Sequence, residues 1–390
     1  MVVVAGLMER LSRGVVLGAE GYLFELERRG YLKSGPYVPE VVLDRPEAVA
    51  ELHREFLDAG AEVMVAFTYY GHEEKLRMIG REGDLEALNR QAVRLAVEAA
   101  RDGDALVAGN ICNTWAYDPA EATASGERVR RMYHDQVAWA VEEGADFIIA
   151  ETNDYLGEAL IAVEVIKSFD VAAVVTFASS EQTTIDGASF EDACARVEQA
   201  GADVVGLNCS SGPRTMLPLL ERVRDAVSCP VAGQPVPYHT TAEQPTFQSL
   251  RDADGRRVFP LALDPFVCTR FEMAEFATAA RDLDVGYIGI CCGGAPHHVR
   301  AMAEALGRTV PASRYSPDLS LHPILGDGAA DVAERYDNWR DKDSYPAGGR
   351  SRQGASCRSV QPSPLRRNWR RRCNRYSPCS QNSIAWGTSR

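Results

Sequence analysis

The sequence predicts an α/β protein, a (β/α)8 TIM barrel with a C-terminal extension. Three observations support this fold class. Eight short apolar runs recur between about residues 14 and 310, amphipathic helical patterns separate them, and the runs are almost continuously apolar. Runs of that kind are typical of parallel strands buried on both faces, and eight strand–helix units favour a closed barrel over a doubly wound open sheet.

The eight predicted strands are rich in Val, Ile and Ala. In chain order they are VVLGAE, EVMVAF, ALVAGNI, FIIAET, AAVVTFA, VVGLNC, PVAGQPV and YIGICC. Active sites of (β/α)8 barrels lie at the carboxyl ends of the strands. Here those ends carry Glu20, Phe67 to Tyr70, Asn110, Glu151, Cys209, Gln234, Cys291 and Cys292. We therefore expect the functional site at this end of the barrel.

The segment DRPEAVAELHREFLDAGAEV, between the first two strands, shows how the helices are predicted. Asp44 can cap a helix, Pro46 suits its first turn and a glycine follows its end. Val49, Leu52 and Phe56 fall on one face, which we expect to pack on the barrel. The segments DLEALNRQAVRLAVEAARDGD and SFEDACARVEQAGAD predict further helices of the same type.

Charge and composition divide the chain into three predicted segments. Residues 1–315 form the barrel, residues 316–346 a C-terminal extension, and residues 347–390 a Ser-, Pro- and Arg-rich tail that we expect to be disordered and functionally inert. Residues 348–390 contain ten Arg and no acidic residue, so the rest of the chain is more acidic than the total formal charge of −13. An acidic body makes nucleic acid an unlikely partner.

The location and the class of partner are also predicted. The N-terminal residues reach charged side chains before any signal-like apolar region forms, and no apolar run is long enough to span a membrane. The sequence thus indicates a cytoplasmic protein that acts on small molecules, and it is compatible with a homo-oligomer. No glycine-rich nucleotide-binding fingerprint follows any predicted strand, which argues against an enzyme that uses NAD or ATP.

Two adjacent cysteines, Cys291 and Cys292, end the eighth predicted strand. Successive side chains of a strand point to opposite faces, so both thiols reach one point only if the strand breaks there, and the following glycines permit a break. Together with Cys209 they would form a three-thiolate set suited to Zn²⁺, with a fourth position open to substrate. A vicinal disulfide, or burial of the cysteines as small apolar side chains, would give the same pattern.

The motifs GLNC and GICCGG occur with GYLFELERRGYLKSGPYVPE, FTYYGHEEKL, GDALVAGNI and QPVPYHT. In this order the chain resembles the zinc-dependent homocysteine S-methyltransferase family, most closely its betaine–homocysteine branch, over about residues 14–310. The resemblance implies that Cys209, Cys291 and Cys292 bind Zn²⁺ and act in catalysis through it. It also implies that a methyl group passes from a positively charged donor, with betaine favoured, to the thiolate of homocysteine, giving methionine.

The resemblance also assigns substrate residues. Glu151 matches the glutamate that holds the ammonium group of the amino acid, Tyr37 stands where the betaine branch has a tryptophan, and Tyr70 matches a tyrosine. Aromatic faces are the usual partners of an onium group, which has no hydrogen bond to offer. Thr68, in the same FTYY segment, is assigned to the substrate site, and Asn208 is expected to steady the thiolates from behind.

The chain departs from the family pattern at three positions. Ala19 replaces an aspartate that binds the substrate's amino group, and Glu20 is predicted to take over that role. Ala66 and Thr152 replace a threonine and a tyrosine of the betaine branch. These changes leave open S-methylmethionine, dimethylsulfoniopropionate or another onium donor, a different thiol acceptor, and a barrel that binds zinc without catalysis.

Three residues near the site are expected to be structural. Cys112 is interpreted as a small apolar filler, although it is the one cysteine that could serve as a fourth ligand. His297 and His298 begin the last predicted helix, where we expect them to be exposed.

Overall fold

A computed structural model describes residues 5–322 and contains the predicted barrel. Eight parallel strands pair in chain order, and the eighth pairs with the first to close the sheet. The strands are β1 Val16–Ala19, β2 Val63–Val65, β3 Leu106–Cys112, β4 Phe147–Asn153, β5 Ala172–Phe177, β6 Val204–Asn208, β7 Val231–Gln234 and β8 Val285–Ile288. The predicted (β/α)8 fold is confirmed.

The helices connect successive strands, and neighbouring helices pack against one another. They are α1 Leu7–Leu11, α2 Tyr22–Arg28, α3 Val41–Asp44, α4 Pro46–Asp58, α5 Glu73–Met78, α6 Leu85–Ala100, α7 Ala122–Glu142, α8 Leu156–Lys167, α9 Phe190–Gln199, α10 Pro213–Ala226, α11 Arg270–Asp282 and α12 Pro296–Ala305. None of the helices within residues 5–322 combines the length and the apolar composition needed to cross a bilayer.

Helix α4 confirms the predicted apolar face and corrects the predicted cap. Val49, Leu52 and Phe56 are fully buried. Pro46 occupies the first helical position, but no side chain caps the helix. Asp44 is the last residue of α3 and accepts hydrogen bonds of 2.9 Å from Arg81 instead. The prediction failed because a short helix, unseen in the sequence pattern, precedes α4 and displaces Asp44 from the capping position.

The barrel interior below the site is filled by side chains. Tyr287 of β8 is fully buried and lies over Gly18 of β1, where a Cβ atom would come within 2.4 Å of the Tyr287 hydroxyl oxygen. Gly18 therefore makes room for this ring. The interior is a packed core at this level, so a substrate can enter only from the carboxyl ends of the strands.

Helix α12 corrects one of the two histidine predictions. His297 is exposed as expected, whereas His298 is buried. The His298 ring accepts a hydrogen bond from the Ala295 N–H at 3.3 Å and lies 3.2 Å from the Cys268 carbonyl oxygen. Burial lowers its pKa to about 3, so the ring is neutral at ordinary pH. The prediction of an exposed His298 was wrong because its ring folds back over the first turn of the helix.

The compact unit that contains the barrel ends at Ser316. The predicted extension, residues 316–346, lies within the described residues only as far as residue 322, and the predicted basic tail, residues 347–390, lies outside them altogether. These predicted segments, including the inert role of the tail, stay predictions.

Candidate active site

Three thiols converge at the carboxyl ends of β6 and β8. The Sγ atoms of Cys209, Cys291 and Cys292 all lie within 4.8 Å of one another. Cys209 and Cys291 are buried, while Cys292 is partly exposed. The three cysteines singled out in the sequence therefore form one cluster at the predicted end of the barrel.

Strand β8 ends before the two adjacent cysteines, which allows both thiols to point to one place. Strand β8 ends at Ile288, three residues before Cys291, and the N–H of Gly294 donates to the Cys291 carbonyl at 2.9 Å, which closes a turn. Gly293 has a φ of 89° in this turn, and a Cβ there would lie 2.3 Å from the Tyr238 hydroxyl oxygen. Arg28 donates to the Gly293 carbonyl and to that same hydroxyl. Position 293 therefore requires glycine, and the hydrogen bonds from Arg28 hold the turn in place.

Cys209 reaches the cluster through an unusual backbone. Cys209 and Ser210 have φ values of 53° and 52°, the left-handed region that non-glycine residues rarely adopt. The thiols of Cys291 and Cys292 donate to the Cys209 sulfur, which lowers the pKa of Cys209 to about 5 and raises the pKa of both donors. Of the three thiols, that of Cys209 therefore ionises most readily.

Asn208 joins this cluster to the neighbouring strands. Its amide nitrogen donates to Glu151 at 2.9 Å and to the Thr152 hydroxyl at 2.8 Å, and it lies 3.8 Å from the Cys291 sulfur. Its amide oxygen accepts from the Thr152 N–H and the Thr176 hydroxyl, both at 2.9 Å. The side chain is buried. These contacts fix the amide in one orientation beside the Cys291 sulfur.

We predict that Asn208→Ala lowers metal affinity by about 10- to 100-fold, the usual effect of losing such an outer contact. The reason is that Glu151 and Cys291 lose a shared donor while all three thiols remain. Competition with a chelator of known affinity measures the change. Asn89→Ala, which removes an equally buried amide bonded to Gly71 and Leu85, is the control and should leave metal affinity unchanged.

An acidic cavity lies on one side of the thiols. Glu20 and Glu151 each bring a carboxylate oxygen within 4.8 Å of the Cys291 sulfur and of each other. Glu151 accepts hydrogen bonds from Asn110 and Asn208, whereas the carboxyl group of Glu20 lies against Gln234 and Glu151. The cavity is lined by Glu20, Gly21, Tyr22, Leu23, Val65, Ala66, Phe67, Tyr69, Asn110, Glu151, Cys291 and Cys292.

The pKa values of both carboxyl groups are raised. Burial, followed by the negative charges of Glu151 and Cys291, raises the pKa of Glu20 well above its usual range. Burial and the charge of Cys291 raise the pKa of Glu151 to about 8. Two buried carboxylates of this kind are stabilised by a cation between them, since opposite charge favours their ionised forms.

An aromatic cavity of about 300 Å³ lies on the other side of the thiols. Its walls carry seven aromatic side chains: Phe24, Tyr37, Tyr69, Tyr70, Trp115, Phe247 and Phe259. Polar residues and two of the thiols complete it: Asn113, Thr152, Asp154, Ser179, Ser180, Cys209, Ser210, Gln248 and Cys292. The two cavities share Leu23, Tyr69 and Cys292, so the thiol cluster lies where they meet.

Backbone strain is concentrated around the aromatic cavity. Six of its lining residues other than glycine have positive φ values: Tyr37, Tyr70, Trp115, Thr152, Cys209 and Ser210. Conformations of this kind cost roughly 1–3 kcal/mol each and persist where the surrounding structure imposes them, often at functional sites. The concentration of strain at one cavity therefore supports a function there.

The structure brings together most of the predicted site residues. Glu20 and Glu151 line the acidic cavity, and Tyr37 and Tyr70 line the aromatic cavity. Glu20 enters the acidic cavity although it is displaced by one residue from the family position, because β1 ends at Ala19 and strand alternation no longer constrains it.

Two other residues lie outside the cavities. Thr68 lines neither, and its hydroxyl donates to the Asn110 carbonyl at 2.6 Å, so its geometry gives no support to a substrate role. The sulfur of Cys112 accepts from the Tyr70 N–H at 3.3 Å and is not part of the thiol cluster, in line with its interpretation as a structural residue.

Sequence reasoning missed two residues of the site. Trp115 and Asp154 line the aromatic cavity. Tyr69, which the sequence analysis placed at a strand end, lines both cavities. Trp115 follows the end of β3, and Asp154 follows the end of β4. Extending the search a few residues beyond each strand end would have found both, whereas the predicted third strand stopped one residue short of Cys112.

Comparisons with known proteins agree with this architecture. Residues 20–306 match the homocysteine S-methyltransferase family. The chain belongs to this family. It is 38% identical over 312 residues to betaine–homocysteine S-methyltransferase 1 of Xenopus laevis, covering 77% of this chain and 75% of the relative. It is 36% identical over 330 residues to the S-methylmethionine–homocysteine S-methyltransferase of Rattus norvegicus, covering 83% and 86%. The prediction that the protein is an S-methyltransferase is confirmed.

A solved structure shows the same fold. The homocysteine methyltransferase of Escherichia coli, in its metallated form, superposes with a TM-score of 0.59 at 19% identity, covering 75% of this chain and 96% of that one. This likeness extends over the barrel and confirms the fold assigned above.

Proposed function

We propose that the protein transfers a methyl group from an onium donor, with betaine favoured, to the sulfur of homocysteine, and that Cys209, Cys291 and Cys292 hold the Zn²⁺ this reaction requires. The observation that carries the proposal is the position of the three thiols at the junction of an acidic and an aromatic cavity. An amino-acid acceptor fits the first cavity and an onium donor fits the second, so the two substrates meet at the metal ligands.

The thiol cluster fits zinc. Three sulfurs within 4.8 Å of one another form a soft ligand set, and within residues 5–322 no fourth His, Cys, Asp or Glu joins all three. Structural zinc sites are closed by four protein ligands, so an open set favours catalysis over a barrel that binds zinc without turnover. Bound zinc would supply a thiolate at neutral pH from a thiol whose ordinary pKa is about 8.5.

Glu20 and Glu151 are proposed to bind the ammonium group of the acceptor. Both carboxylates are buried and lie beside the Cys291 sulfur and beside each other. An ammonium placed between them would satisfy both charges and would direct the sulfur of the same molecule toward the thiol cluster. Positioning of this kind can lower a bimolecular barrier by several kcal/mol.

The aromatic cavity is proposed to bind the donor. A quaternary ammonium or a sulfonium is attracted to the faces of Tyr and Trp rings and needs no hydrogen bond at its cationic centre. Tyr37, Tyr70 and Trp115 provide such faces beside Cys292. Betaine is favoured because the chain resembles betaine-dependent relatives. S-Methylmethionine is the second candidate because a relative named for that donor is similarly close.

Metal content and acceptor binding test the first half of the proposal. We expect about one zinc per chain after purification under reducing conditions. In protein reloaded with Co²⁺, the sulfur-to-cobalt absorption band should change when homocysteine is added and should not change with serine. Absence of zinc under reducing conditions would refute a metal site open to the acceptor. A cobalt absorption band that does not change when homocysteine is added would refute it as well.

A donor panel tests the second half. Methionine formation is measured by mass spectrometry with homocysteine and betaine, S-methylmethionine or dimethylsulfoniopropionate. The highest kcat/KM with betaine supports the favoured version, and a higher value with another onium moves the assignment to that donor. No turnover of homocysteine with any of the three contradicts the proposal. The cytoplasmic location and a homo-oligomeric state also stay predictions.

A further inference from the structure

A lysine ammonium lies behind the aromatic cavity. Lys75, in α5, is only 4% exposed, and its Nζ lies 4.1 Å from the ring centroids of both Tyr70 and Trp115. The same Nζ donates to the Pro36 carbonyl at 3.5 Å, immediately before Tyr37. Lys75 is not among the residues that line the cavity. Its charge is therefore placed behind the aromatic wall, where it touches two of the rings proposed to receive the donor.

These contacts are well suited to hold the wall in place. Tyr37, Tyr70 and Trp115 all have positive φ values between 53° and 63°, so their backbones adopt this arrangement only under constraint from neighbours. One ammonium contacts two of the rings and the peptide that leads into the third. Burial lowers the pKa of Lys75. The two ring faces oppose that effect because they favour the charged form.

An opposite charge lies in the cavity wall itself. Asp154 lines the aromatic cavity and accepts a hydrogen bond from Asn113 at 2.5 Å. Burial raises the pKa of Asp154 to about 6, so most of the carboxylate is ionised in an assay at about pH 7. The donor therefore enters a cavity that has a fixed positive charge behind one wall and a negative charge in its lining.

We propose that Lys75 is a positioning and specificity residue, which holds Tyr70 and Trp115 in place and disfavours methyl donors that carry a net positive charge. Asp154 acts in the opposite direction. The inference rests on the proposed function, because it assumes that the aromatic cavity receives the donor. It adds the property by which the cavity distinguishes one onium from another, namely net charge.

Two sulfonium donors can be compared to measure the effect of net charge on binding. Dimethylsulfoniopropionate and S-methylmethionine both present a dimethylsulfonium group, but the first is a zwitterion of net charge zero and the second carries an additional ammonium. Their transferable methyl groups are chemically alike, so the ratio of their affinities reports how the cavity responds to one extra positive charge. At an effective dielectric constant of about 20 and a separation of roughly 10 Å, one such charge changes affinity by about tenfold.

The test compares Lys75→Met with Asp154→Asn in the full-length, zinc-loaded protein at about pH 7, where the ammonium of S-methylmethionine is mostly protonated. Dissociation constants for both donors are measured by calorimetry, and kcat and KM are measured with homocysteine. We expect Lys75→Met to shift the affinity ratio about tenfold toward S-methylmethionine and Asp154→Asn to shift it about tenfold toward dimethylsulfoniopropionate. Lys75→Arg keeps the charge and should keep the ratio within about threefold of the parent.

The outcomes separate the inference from the proposed function. If both variants weaken both donors equally, or leave the ratio unchanged while the parent turns over, the inference is overturned and the proposed function stands. If the ratio shifts in opposite directions but no methionine forms, the cavity binds oniums as inferred and the proposed reaction fails. If neither donor binds the parent at millimolar concentration, both are overturned.

Discussion

Cys291→Ala is expected to remove the bound metal and to lower turnover by at least about 10³-fold, because the variant loses both the ionised acceptor sulfur and its fixed position. The remaining Cys209 and Cys292 lack a third sulfur, and the hydrogen bonds that lower the pKa of Cys209 come from Cys291 first. Metal analysis by mass spectrometry and steady-state kinetics measure the two effects.

Cys194→Ala is the matched control for this prediction. Cys194 is also fully buried, but it packs in α9 with its sulfur 3.8 Å from the Gly206 carbonyl oxygen, away from the thiol cluster. The control should keep its zinc and most of its activity. A Cys291→Ala protein that retains one zinc per chain and normal turnover would show that the cluster is not the metal site.

Glu151→Gln is expected to lower kcat/KM for homocysteine by about 10- to 100-fold, the usual cost of losing one charged hydrogen bond. The amide keeps the size of the side chain but removes half of the negative charge proposed to receive the ammonium group. The KM for the donor should stay within about threefold of the parent, since the donor enters the other cavity. Steady-state kinetics with each substrate varied in turn measure both values.

Glu158→Gln is the control for this second prediction. Glu158 is a buried carboxylate that accepts from the N–H and the hydroxyl of Thr114 and lines neither cavity. It should lower stability without a selective effect on homocysteine. Equal losses for the two variants would mean that Glu151 acts as a structural carboxylate only.

The same glutamate makes a prediction about pH in the metal-free protein. The folded-state pKa of Glu151 is raised to about 8, so its contribution to stability is present below about pH 4.5 and is lost as the pH rises toward 8 and beyond. Glutamine does not titrate. The melting temperature of Glu151→Gln should therefore rise relative to that of the parent between about pH 5.5 and pH 9. A difference that stays constant over this pH range would contradict the assignment.

Local patterns in the chain were sufficient for the barrel and for the strand ends at which the three clustered thiols lie. Eight apolar runs and the helices between them follow from side-chain periodicity, which covalent geometry imposes on any strand or helix. The adjacent cysteines were recognisable because a strand cannot direct two successive thiols to one point. The two predictions that were wrong concern Asp44, which ends α3 just before α4, and His298, in the first turn of α12. At such positions one extra helical turn or one folded-back ring changes the hydrogen-bond partner of the side chain.

By itself, the sequence determined the eight strand–helix units, the end of the barrel that carries the chemistry, and the thiols and carboxylates available there. Only the tertiary structure decided which of them meet: Asn208 and Cys291 are 83 positions apart, and Lys75 contacts Trp115 from a different helix–strand unit. The physical reason is that periodicity depends on neighbours in the chain. The meeting of distant side chains at the site depends instead on the closure of the sheet and on a few strained backbone angles beyond the strand ends. No local pattern encodes these features.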